Sequence, residues 1–211
     1  MRFWKNLVET RFGKSSATTK VIWNRSRISS PLSENSVANI ALTGFMAVGK
    51  SAVGRNLARK LGRHFVDLDK VIQREEGMKV KEIFSSKGER YFRRAEKLAL
   101  AKVLLQDEQV IATGGGAVMD EENLRLLRER SFLVCLTAAP EALLRRAGNK
   151  RQRPLLEGGS RAQRIRELLA QRERNYARAH FAVDTSDLTV DQVVEKIIEA
   201  LERGELMGCK P

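Results

Sequence analysis

The 211-residue chain has no apolar stretch approaching the ~18–20 residues that a membrane-spanning helix needs. It is also poor in cysteine: Cys135 and Cys209 are the only two, and two cysteines make no disulfide framework. Cys135 lies in the apolar run 131–137, where we expect a buried strand residue. The sequence therefore predicts neither a membrane span nor a disulfide-built scaffold, and its cysteine usage suits a reducing compartment such as the cytoplasm.

Histidine is equally scarce. His64 and His180 are the only two, and neither has a metal-ligand partner at a suitable spacing, so we expect both to be structural. No Ser-His-Asp or Cys-His arrangement for nucleophilic catalysis is recognisable. Aromatic residues make up 6% of the chain and are not interleaved with the basic residues in a base-stacking pattern. The sequence therefore gives no support to a histidine metal site, a covalent nucleophile or a nucleic-acid partner.

Positive charge is abundant, with a formal net charge of +13. A basic surface is compatible with nucleic acid, but it also suits a site that holds polyphosphate and an anionic substrate. Seven basic and two acidic residues lie in residues 1–38, so this segment carries +5 of the total.

Residues 1–38 are also rich in Ser, Thr and Arg and lack sustained periodicity. Three interpretations of this basic extension remain: an organelle transit peptide, a disordered or weakly ordered appendage, or a start codon placed too far upstream. We favour the last two together. We therefore expect a cytoplasmic protein, with a plastid location only if the segment is a genuine transit peptide.

From Asn39 onward, short apolar runs alternate with segments of helical period, which predicts a parallel sheet covered on both faces. Such sheets bind ligands beyond the carboxyl ends of their strands. Thr189 and Gln192 form a capping box for the last helix. We expect one domain over 39–205 and a tail over 206–211. The predicted strands are 39–43, 64–67, 109–113, 132–137 and 181–184, and the predicted helices are 50–61, 69–76, 79–85, 89–105, 121–129, 140–147, 160–179 and 190–203.

Residues 44–51 read Gly-Phe-Met-Ala-Val-Gly-Lys-Ser, the G-x-x-x-x-G-K-[ST] pattern of the phosphate-binding loop in P-loop NTPases. A predicted strand precedes the loop and a predicted helix follows it, which is the context that the motif requires. Backbone N–H groups and the helix N-terminus then point at the phosphates. Lys50 supplies a positive charge near the β- and γ-phosphates, and Ser51 supplies a hydroxyl for Mg²⁺. The sequence therefore predicts a site for Mg-ATP.

Asp67 ends the second predicted strand, and Asp69 follows two residues later on the same side of the chain. A carboxylate pair beside a phosphate loop can help to hold Mg²⁺ or can orient and deprotonate an acceptor hydroxyl. Asp69 also precedes a helical segment and could simply cap it. Capping leaves Asp67 unexplained, so we favour a functional pair.

Gly114, Gly115 and Gly116 follow the third predicted strand directly. Three consecutive glycines cost backbone entropy and are tolerated where a ligand approaches the main chain closely. Arg93 and Glu96 share a face of the helix that begins near Gly88. They form either a solvated ion pair or a site where an arginine is presented to a substrate carboxylate.

Residues 147–162 combine glycines with concentrated basic residues, including Arg153. We expect a mobile loop, since structureless segments of this length are more often functional or disordered than plain connections. In a kinase, such a basic lid closes over ATP and brings an arginine to the transferring phosphoryl group.

Taken together, these motifs resemble the shikimate kinase family over roughly residues 39–203. The resemblance implies an α/β, three-layer P-loop kinase fold, with a five-stranded parallel sheet of order 2-3-1-4-5, flanking helices and a mobile lid. It also implies transfer of the ATP γ-phosphoryl group to the shikimate 3-hydroxyl in aromatic amino acid biosynthesis. The motifs are Gly44…Lys50-Ser51, Asp67-Leu-Asp69, Ile83-Phe84…Gly88-Glu89…Phe92-Arg93…Glu96, Gly114-Gly-Gly116-Ala-Val and Arg153-Pro-Leu-Leu156.

The resemblance also implies roles for individual residues. Lys50, Asp69 and Arg153 would act in catalysis, with Asp69 as the base and Arg153 closing onto the γ-phosphate. Ser51 and Asp67 would hold Mg²⁺. Arg146 would border the adenine. The expected ATP contacts are Gly44, Ala47, Val48, Gly49, Lys50, Ser51, Ala52, Arg146 and Arg153, and the expected shikimate contacts are Asp69, Arg93, Gly114, Gly115, Gly116 and Arg172.

The chain departs from the family pattern at Ala47-Val48, where glycine and a small residue are common, and at Ala52, where many members have Thr. Two rivals stay open. A gluconate kinase-like enzyme would share the core, although Arg93 and the glycine triplet suit an anionic cyclic acceptor. A non-catalytic relative would bind nucleic acid through its basic surface without turnover. We expect a monomer whose partners are ATP and shikimate.

Overall fold

The computed structural model describes residues 39–147 and 160–203, all within one compact unit of the chain, Val37–Pro211. Five strands form a wholly parallel sheet in the order β2-β3-β1-β4-β5, as predicted. The strands are β1 (Asn39–Gly44), β2 (His64–Asp67), β3 (Gln109–Ala112), β4 (Phe132–Thr137) and β5 (Phe181–Asp184). The helices are α1 (Lys50–Leu61), α2 (Leu68–Glu76), α3 (Val80–Val103), α4 (Glu121–Arg130), α5 (Pro140–Ala147), α6 (Arg161–Tyr176) and α7 (Val190–Glu202), with a 3₁₀ helix at Ala117–Met119.

The central strand β1 shows why the sheet has two apolar faces. Ile40 and Leu42 belong to the core on one face, whereas Ala41 between them belongs to the core on the other. Successive strand side chains alternate between faces, so a continuous apolar run fills both cores. Helices α1, α5 and α7 cover the first face, α2, α3 and α4 cover the second, and α6 contributes to both. The result is the expected three-layer α/β architecture.

Helix α1 connects the phosphate-loop motif to this core. Its residues Val53 and Leu57 are buried one turn apart, and burying each side chain contributes about 1.5–3 kcal/mol. Gly54 lies against β2 so closely that a Cβ atom there would be 2.5 Å from the Phe65 ring. The helix ends at Gly62, whose left-handed backbone (φ 65°) lets its N–H reach back to the last turn.

The predicted elements agree with the structure to within a few residues. The two helices predicted over 79–85 and 89–105 join across Gly88, whose backbone (φ 79°, ψ 167°) is non-helical and kinks α3 there. The capping box of Thr189 and Gln192 is confirmed at the start of α7. The sequence missed the 3₁₀ helix and predicted α6 three residues too long at its end. Of the mobile loop predicted over 147–162, residues 148–159 lie outside the described residues. No helix in the described ranges is long and apolar enough to cross a membrane.

The parallel register brings the sequence motifs to one edge of the sheet. Leu42 of β1 and Asp67 of β2 are both in register with Ala112 of β3. The segments at the carboxyl ends of these three strands are the phosphate-loop motif, the Asp67–Asp69 pair and the glycine triplet. They are therefore neighbours, since carboxyl ends of parallel strands meet at the same edge.

Candidate active site

A cleft of about 920 Å³ opens at this edge of the sheet and collects most of the predicted site residues. Its walls come from the phosphate-loop motif, the ends of β2 and β3, and helices α2, α3 and α6. The lining includes Ala47, Gly49, Lys50, Ser51, Ala52, Asp67, Asp69, Arg93, Gly114, Gly115, Gly116 and Arg172.

The phosphate-loop motif wraps tightly around the start of α1. Gly49 is the N-cap residue of α1, with a left-handed backbone (φ 108°), and its carbonyl accepts from the N–H groups of Ala52 and Val53. Lys50 Nζ donates to Gly44 O (2.8 Å) and Phe45 O (2.9 Å). The loop therefore holds an ammonium group at the N-terminus of a helix, where the helix dipole also favours an anion.

Ala47, one of the departures from the family pattern, has a backbone conformation that glycine adopts more easily. Its φ of 64° is left-handed, one of two such angles at non-glycine residues in the described ranges. This conformation costs an L-residue roughly 1–2 kcal/mol and costs glycine almost nothing. The alanine thus keeps the shape of the loop at a modest cost in stability. Val48, a second departure and a predicted ATP contact, is buried in the core and does not line the cleft.

Asp67 and Ser51 meet across the cleft. Ser51 Oγ donates to Asp67 Oδ2 at 2.8 Å, which joins the start of α1 to the end of β2. The two oxygens form a hard donor set of the kind that Mg²⁺ prefers. The described residues include no cluster of three or more His, Cys, Asp or Glu side chains for a metal. The arrangement therefore fits an ion that takes its other ligands from phosphate and water.

The alternative that Asp69 merely caps a helix is wrong. Asp67 occupies the N-cap position of α2, without a side-chain capping bond, and Asp69 lies in the first turn. Burial raises the pKa of Asp69, and the charge of Asp67 raises it further, while Lys50 and Arg93 act in the opposite direction. Asp69 is thus a carboxylate inside the cleft with an increased proton affinity, a property typical of catalytic bases.

The glycine triplet has no room for side chains at its two ends. A Cβ atom on Gly114 would be 2.5 Å from Glu96 Oε1 and 3.2 Å from Asp69 Oδ1. A Cβ atom on Gly116 would be 2.6 Å from Arg93 Nη2. Gly114 and Gly116 are therefore required by close approach, because carboxylate and guanidinium groups of the protein lie directly against their backbone; approach by a ligand, which the sequence predicted, stays a prediction.

Arg93 and Glu96 form an ion pair in which Glu96 is buried and Arg93 is partly exposed, with 30% of its side chain accessible. Arg93 Nη1 donates to Glu96 Oε2 at 2.7 Å, and the Glu96 side chain is 1% exposed. Arg93 also donates to Glu89 Oε1 at 3.0 Å. Burial lowers the pKa of Arg93, but Glu96 and Glu89 outweigh it, so the pKa lies above its ordinary value. Glu96 Oε1 has no hydrogen-bond partner among the described residues.

Arg172 enters the cleft from the opposite side, on α6. It is 7% exposed, lies over the Phe45 ring at 5.5 Å and donates from Nη1 to Gly115 O at 3.1 Å. Arg93 and Arg172 belong to different helices and contact adjacent glycines. Two guanidinium groups therefore flank the triplet.

Not every predicted residue lines the cleft. Gly44 lies against β4 and has no room for a side chain, since a Cβ atom there would be 2.1 Å from Leu136 O. Arg146 donates to Thr185 Oγ1 at 2.9 Å and to Ser186 O at 3.1 Å, which ties α5 to the segment after β5. Arg153 lies outside the described residues.

Sequence reasoning assigned no role to several residues that build the site. The rings of Phe84 and Phe92 contact each other at a tilted angle, with centroids 4.7 Å apart, and form an apolar wall. Tyr176 supports the triplet from behind, donating to Gly115 O at 2.7 Å. Its position four residues after Arg172, on the same helical face, was the available signal.

A phosphate loop, a carboxylate pair and cationic side chains at the carboxyl edge of a parallel sheet define a P-loop kinase acting on a small molecule. The family model described as Shikimate kinase matches residues 46–202. The chain therefore belongs to the shikimate kinase family, and the resemblance stated from its motifs is confirmed.

Known relatives agree with this assignment. The shikimate kinase of Thermoanaerobacter pseudethanolicus is 44% identical over 165 residues, which cover 78% of this chain and 96% of the relative. That of Pelotomaculum thermopropionicum is 46% identical over 164 residues, covering 78% and 95%. The structure of shikimate kinase from Acinetobacter baumannii in complex with shikimate superposes with a TM-score of 0.77 at 35% identity, covering 81% of this chain and 96% of that one. A gluconokinase from Sinorhizobium meliloti reaches a TM-score of 0.52 at 18% identity, which shows the fold alone.

Proposed function

We propose that this chain transfers the γ-phosphoryl group of ATP to the 3-hydroxyl of shikimate, giving shikimate 3-phosphate and ADP on the route to aromatic amino acids. The observation that carries the proposal is the placement of Arg93 and Arg172 against adjacent glycines of the triplet, with Asp69 against the first glycine. An anionic acceptor with a hydroxyl near its carboxylate fits this arrangement, and the Acinetobacter baumannii relative was solved with shikimate.

The phosphate-loop side of the cleft would hold ATP. Lys50 presents its ammonium group where the β- and γ-phosphates lie in such loops, and the N–H groups at the start of α1 add partial positive charge. Phosphoryl transfer needs positioning and charge neutralisation more than covalent catalysis. Lys50 therefore contributes by stabilising the charge on the transferring group.

Ser51 and Asp67 would hold Mg²⁺, because their oxygens lie 2.8 Å apart beside Lys50 and form the donor set described above. When bound, the ion would neutralise the charge of the β- and γ-phosphates.

The acceptor side would bind shikimate through its carboxylate and hydroxyls. Arg93 and Arg172 would bind the carboxylate, since a guanidinium matches it in geometry and charge. Asp69 would accept the proton of the reacting hydroxyl. The O–H bond then breaks, an O–P bond forms, and ADP departs with the electrons of the broken P–O bond. The increased proton affinity of Asp69 suits this role.

The first experiment is Mg-ATP turnover by coupled ADP release, with shikimate, gluconate or no acceptor in parallel. We expect shikimate-dependent release, with a product of the mass of a shikimate phosphate and phosphorus–proton coupling at position 3 by NMR. Phosphate at another hydroxyl would reject the 3-position, and preference for gluconate would reject shikimate as the acceptor.

Lys50→Ala tests the ATP side. We expect kcat to fall about 10²–10³-fold, the usual cost of one preorganised cationic or hydrogen-bond donor. The matched control is Lys60→Ala on the same helix, since Lys60 forms a surface pair with Glu195 far from the cleft. Normal kcat in folded Lys50→Ala protein would refute the role.

We further propose that residues 39–205 form the catalytic domain, with residues 1–38 and 206–211 outside it. The family match covers 46–202 and supports this division. A cytoplasmic location is proposed because the named relatives are bacterial, and a monomer is proposed with it. Arg153 and Arg146 remain proposed ATP contacts. Turnover by residues 39–205 alone, with mass measured in solution, tests the division and the monomeric state together.

A further inference from the structure

The last turn of α6 contacts the glycine segment with three side-chain donors. Arg172 Nη1 and Tyr176 OH both donate to Gly115 O, at 3.1 Å and 2.7 Å. Asn175 Nδ2 donates to Val118 O at 2.8 Å, one turn further along the segment. A carbonyl oxygen has two lone pairs, so Gly115 O is fully used by these two partners.

The shared carbonyl links Tyr176 to the cleft without direct contact. Arg172 lines the cleft, whereas Tyr176 does not and is 7% exposed. The hydrogen bond from Tyr176 fixes the position of the Gly115 carbonyl, which accepts from Arg172. It also fixes the backbone that leads into Gly116, and Arg93 lies against Gly116. The positions of the Arg93 and Arg172 guanidinium groups therefore both depend in part on the position of the Gly115–Gly116 backbone.

We propose that Tyr176 is a positioning residue for the acceptor carboxylate: its hydroxyl fixes the Gly115 carbonyl and so holds Arg172 and the triplet in their binding geometry. The inference rests on the proposed function, because it assumes that Arg172 binds the carboxylate of shikimate.

The state of the Tyr176 hydroxyl supports this role. Burial raises its pKa to about 12, while the charge of Arg172 acts in the opposite direction. The hydroxyl therefore remains a donor at every pH at which the enzyme would be assayed. The partner groups are a backbone carbonyl and a guanidinium, neither of which titrates in that range.

The test is Tyr176→Phe, which keeps the ring and removes only the donor. We expect KM for shikimate to rise about 3- to 10-fold, the size of one lost hydrogen bond, with KM for ATP unchanged and kcat changed less than KM. Ser131→Ala is the matched control. Its buried hydroxyl donates to Leu127 O at 2.5 Å, outside the cleft lining, so it should lower thermal stability without changing KM.

Two further measurements separate positioning from a purely structural role. Wild type and Tyr176→Phe should have equal KM for a shikimate analogue that lacks the carboxylate. Combined with Arg172→Lys, Tyr176→Phe should be non-additive, because both act through one carbonyl. Unchanged KM with reduced stability, or a parallel loss of affinity for ATP and shikimate, would overturn the inference. Absence of shikimate turnover in wild type would instead refute the proposed function.

Discussion

Adding a single methyl group at Gly116 should weaken acceptor binding while leaving the fold intact. Gly116 has φ −110° and ψ −1°, which alanine can adopt. The new Cβ atom would be 2.6 Å from Arg93 Nη2 and 2.8 Å from Nη1. To restore an ordinary contact of about 3.4 Å, the guanidinium must move by about 0.8 Å. Its neighbours Glu89 and Glu96 accept its hydrogen bonds, so it can slide along their oxygens.

The expected loss follows from this displacement. A hydrogen bond to a charged group contributes about 1.5–3 kcal/mol, which corresponds to about 10- to 150-fold in kcat/KM for shikimate. The free energy of unfolding should change by no more than about 1–2 kcal/mol. Alanine leaves the unfolded chain fewer conformations than glycine does, and this partly offsets the strain of the new contact with Arg93. KM for ATP should stay unchanged, because no phosphate-loop atom is among the nearest neighbours of the new methyl.

The assay is shikimate-dependent ADP release at saturating Mg-ATP, with thermal unfolding measured on the same sample. Gly115→Ala is a graded comparison within the triplet. Its Cβ would meet Gly44 O at 3.2 Å, Met46 N at 3.5 Å and Arg172 Nη1 at 3.6 Å, so the neighbours need to give only a few tenths of an ångström and we expect a smaller loss. A folded Gly116→Ala protein with wild-type KM for shikimate would show that Arg93 does not bind the acceptor.

Two further predictions concern pH. Asp69→Asn should lower kcat about 10²–10⁴-fold and abolish the loss of activity that wild type shows as pH falls through the raised pKa of Asp69. A carboxyl group whose pKa is raised in the folded protein lowers the stability of the fold at any pH where the same group is ionised in the unfolded chain. Asp69→Asn should therefore be more stable than wild type at pH 7 but not at pH 3. Equal stability at pH 7 would contradict the direction of the pKa shift. His180 Nδ1 accepts from Leu133 N at 3.0 Å, and burial, with the charge of Arg128, lowers its pKa. Wild-type stability should therefore fall as pH drops below about 6.5, whereas His180→Asn, which keeps an acceptor, should lose this dependence in thermal unfolding.

The fold was predictable because its signals are local. Each strand is a short apolar run and each helix has a periodic apolar face, and glycines such as Gly62 and Gly88 mark the breaks. The order of strands came from the family resemblance, since pairing between β1 and β3 depends on contacts that are about 70 residues apart in sequence. The 3₁₀ helix was missed because it spans only three residues and has no periodicity to read.

The site was predictable where chemistry depends on spacing along the chain. The phosphate-loop motif and the Asp67–Asp69 pair are short patterns that can be read directly. The glycine triplet indicated close approach by a ligand, whereas the structure shows protein side chains against Gly114 and Gly116. The burial of Glu96 was not predictable from its i, i+3 spacing to Arg93, because exposed and buried ion pairs on a helix have the same sequence spacing. The support from Tyr176 was missed for a similar reason, since its partner carbonyl is 61 residues away.

Three of the cations that line the cleft, Lys50, Arg93 and Arg172, are each held by protein oxygens. Lys50 is bound by the carbonyls of Gly44 and Phe45, Arg93 by two glutamates, and Arg172 by the carbonyl of Gly115. Without these acceptors, three like charges around one cleft would repel one another and would have no fixed direction. With them, each cation is oriented before a ligand arrives, so binding energy is not spent on ordering long side chains. The carbonyls and carboxylates around the cleft are therefore as much a part of its specificity as the cations that they hold.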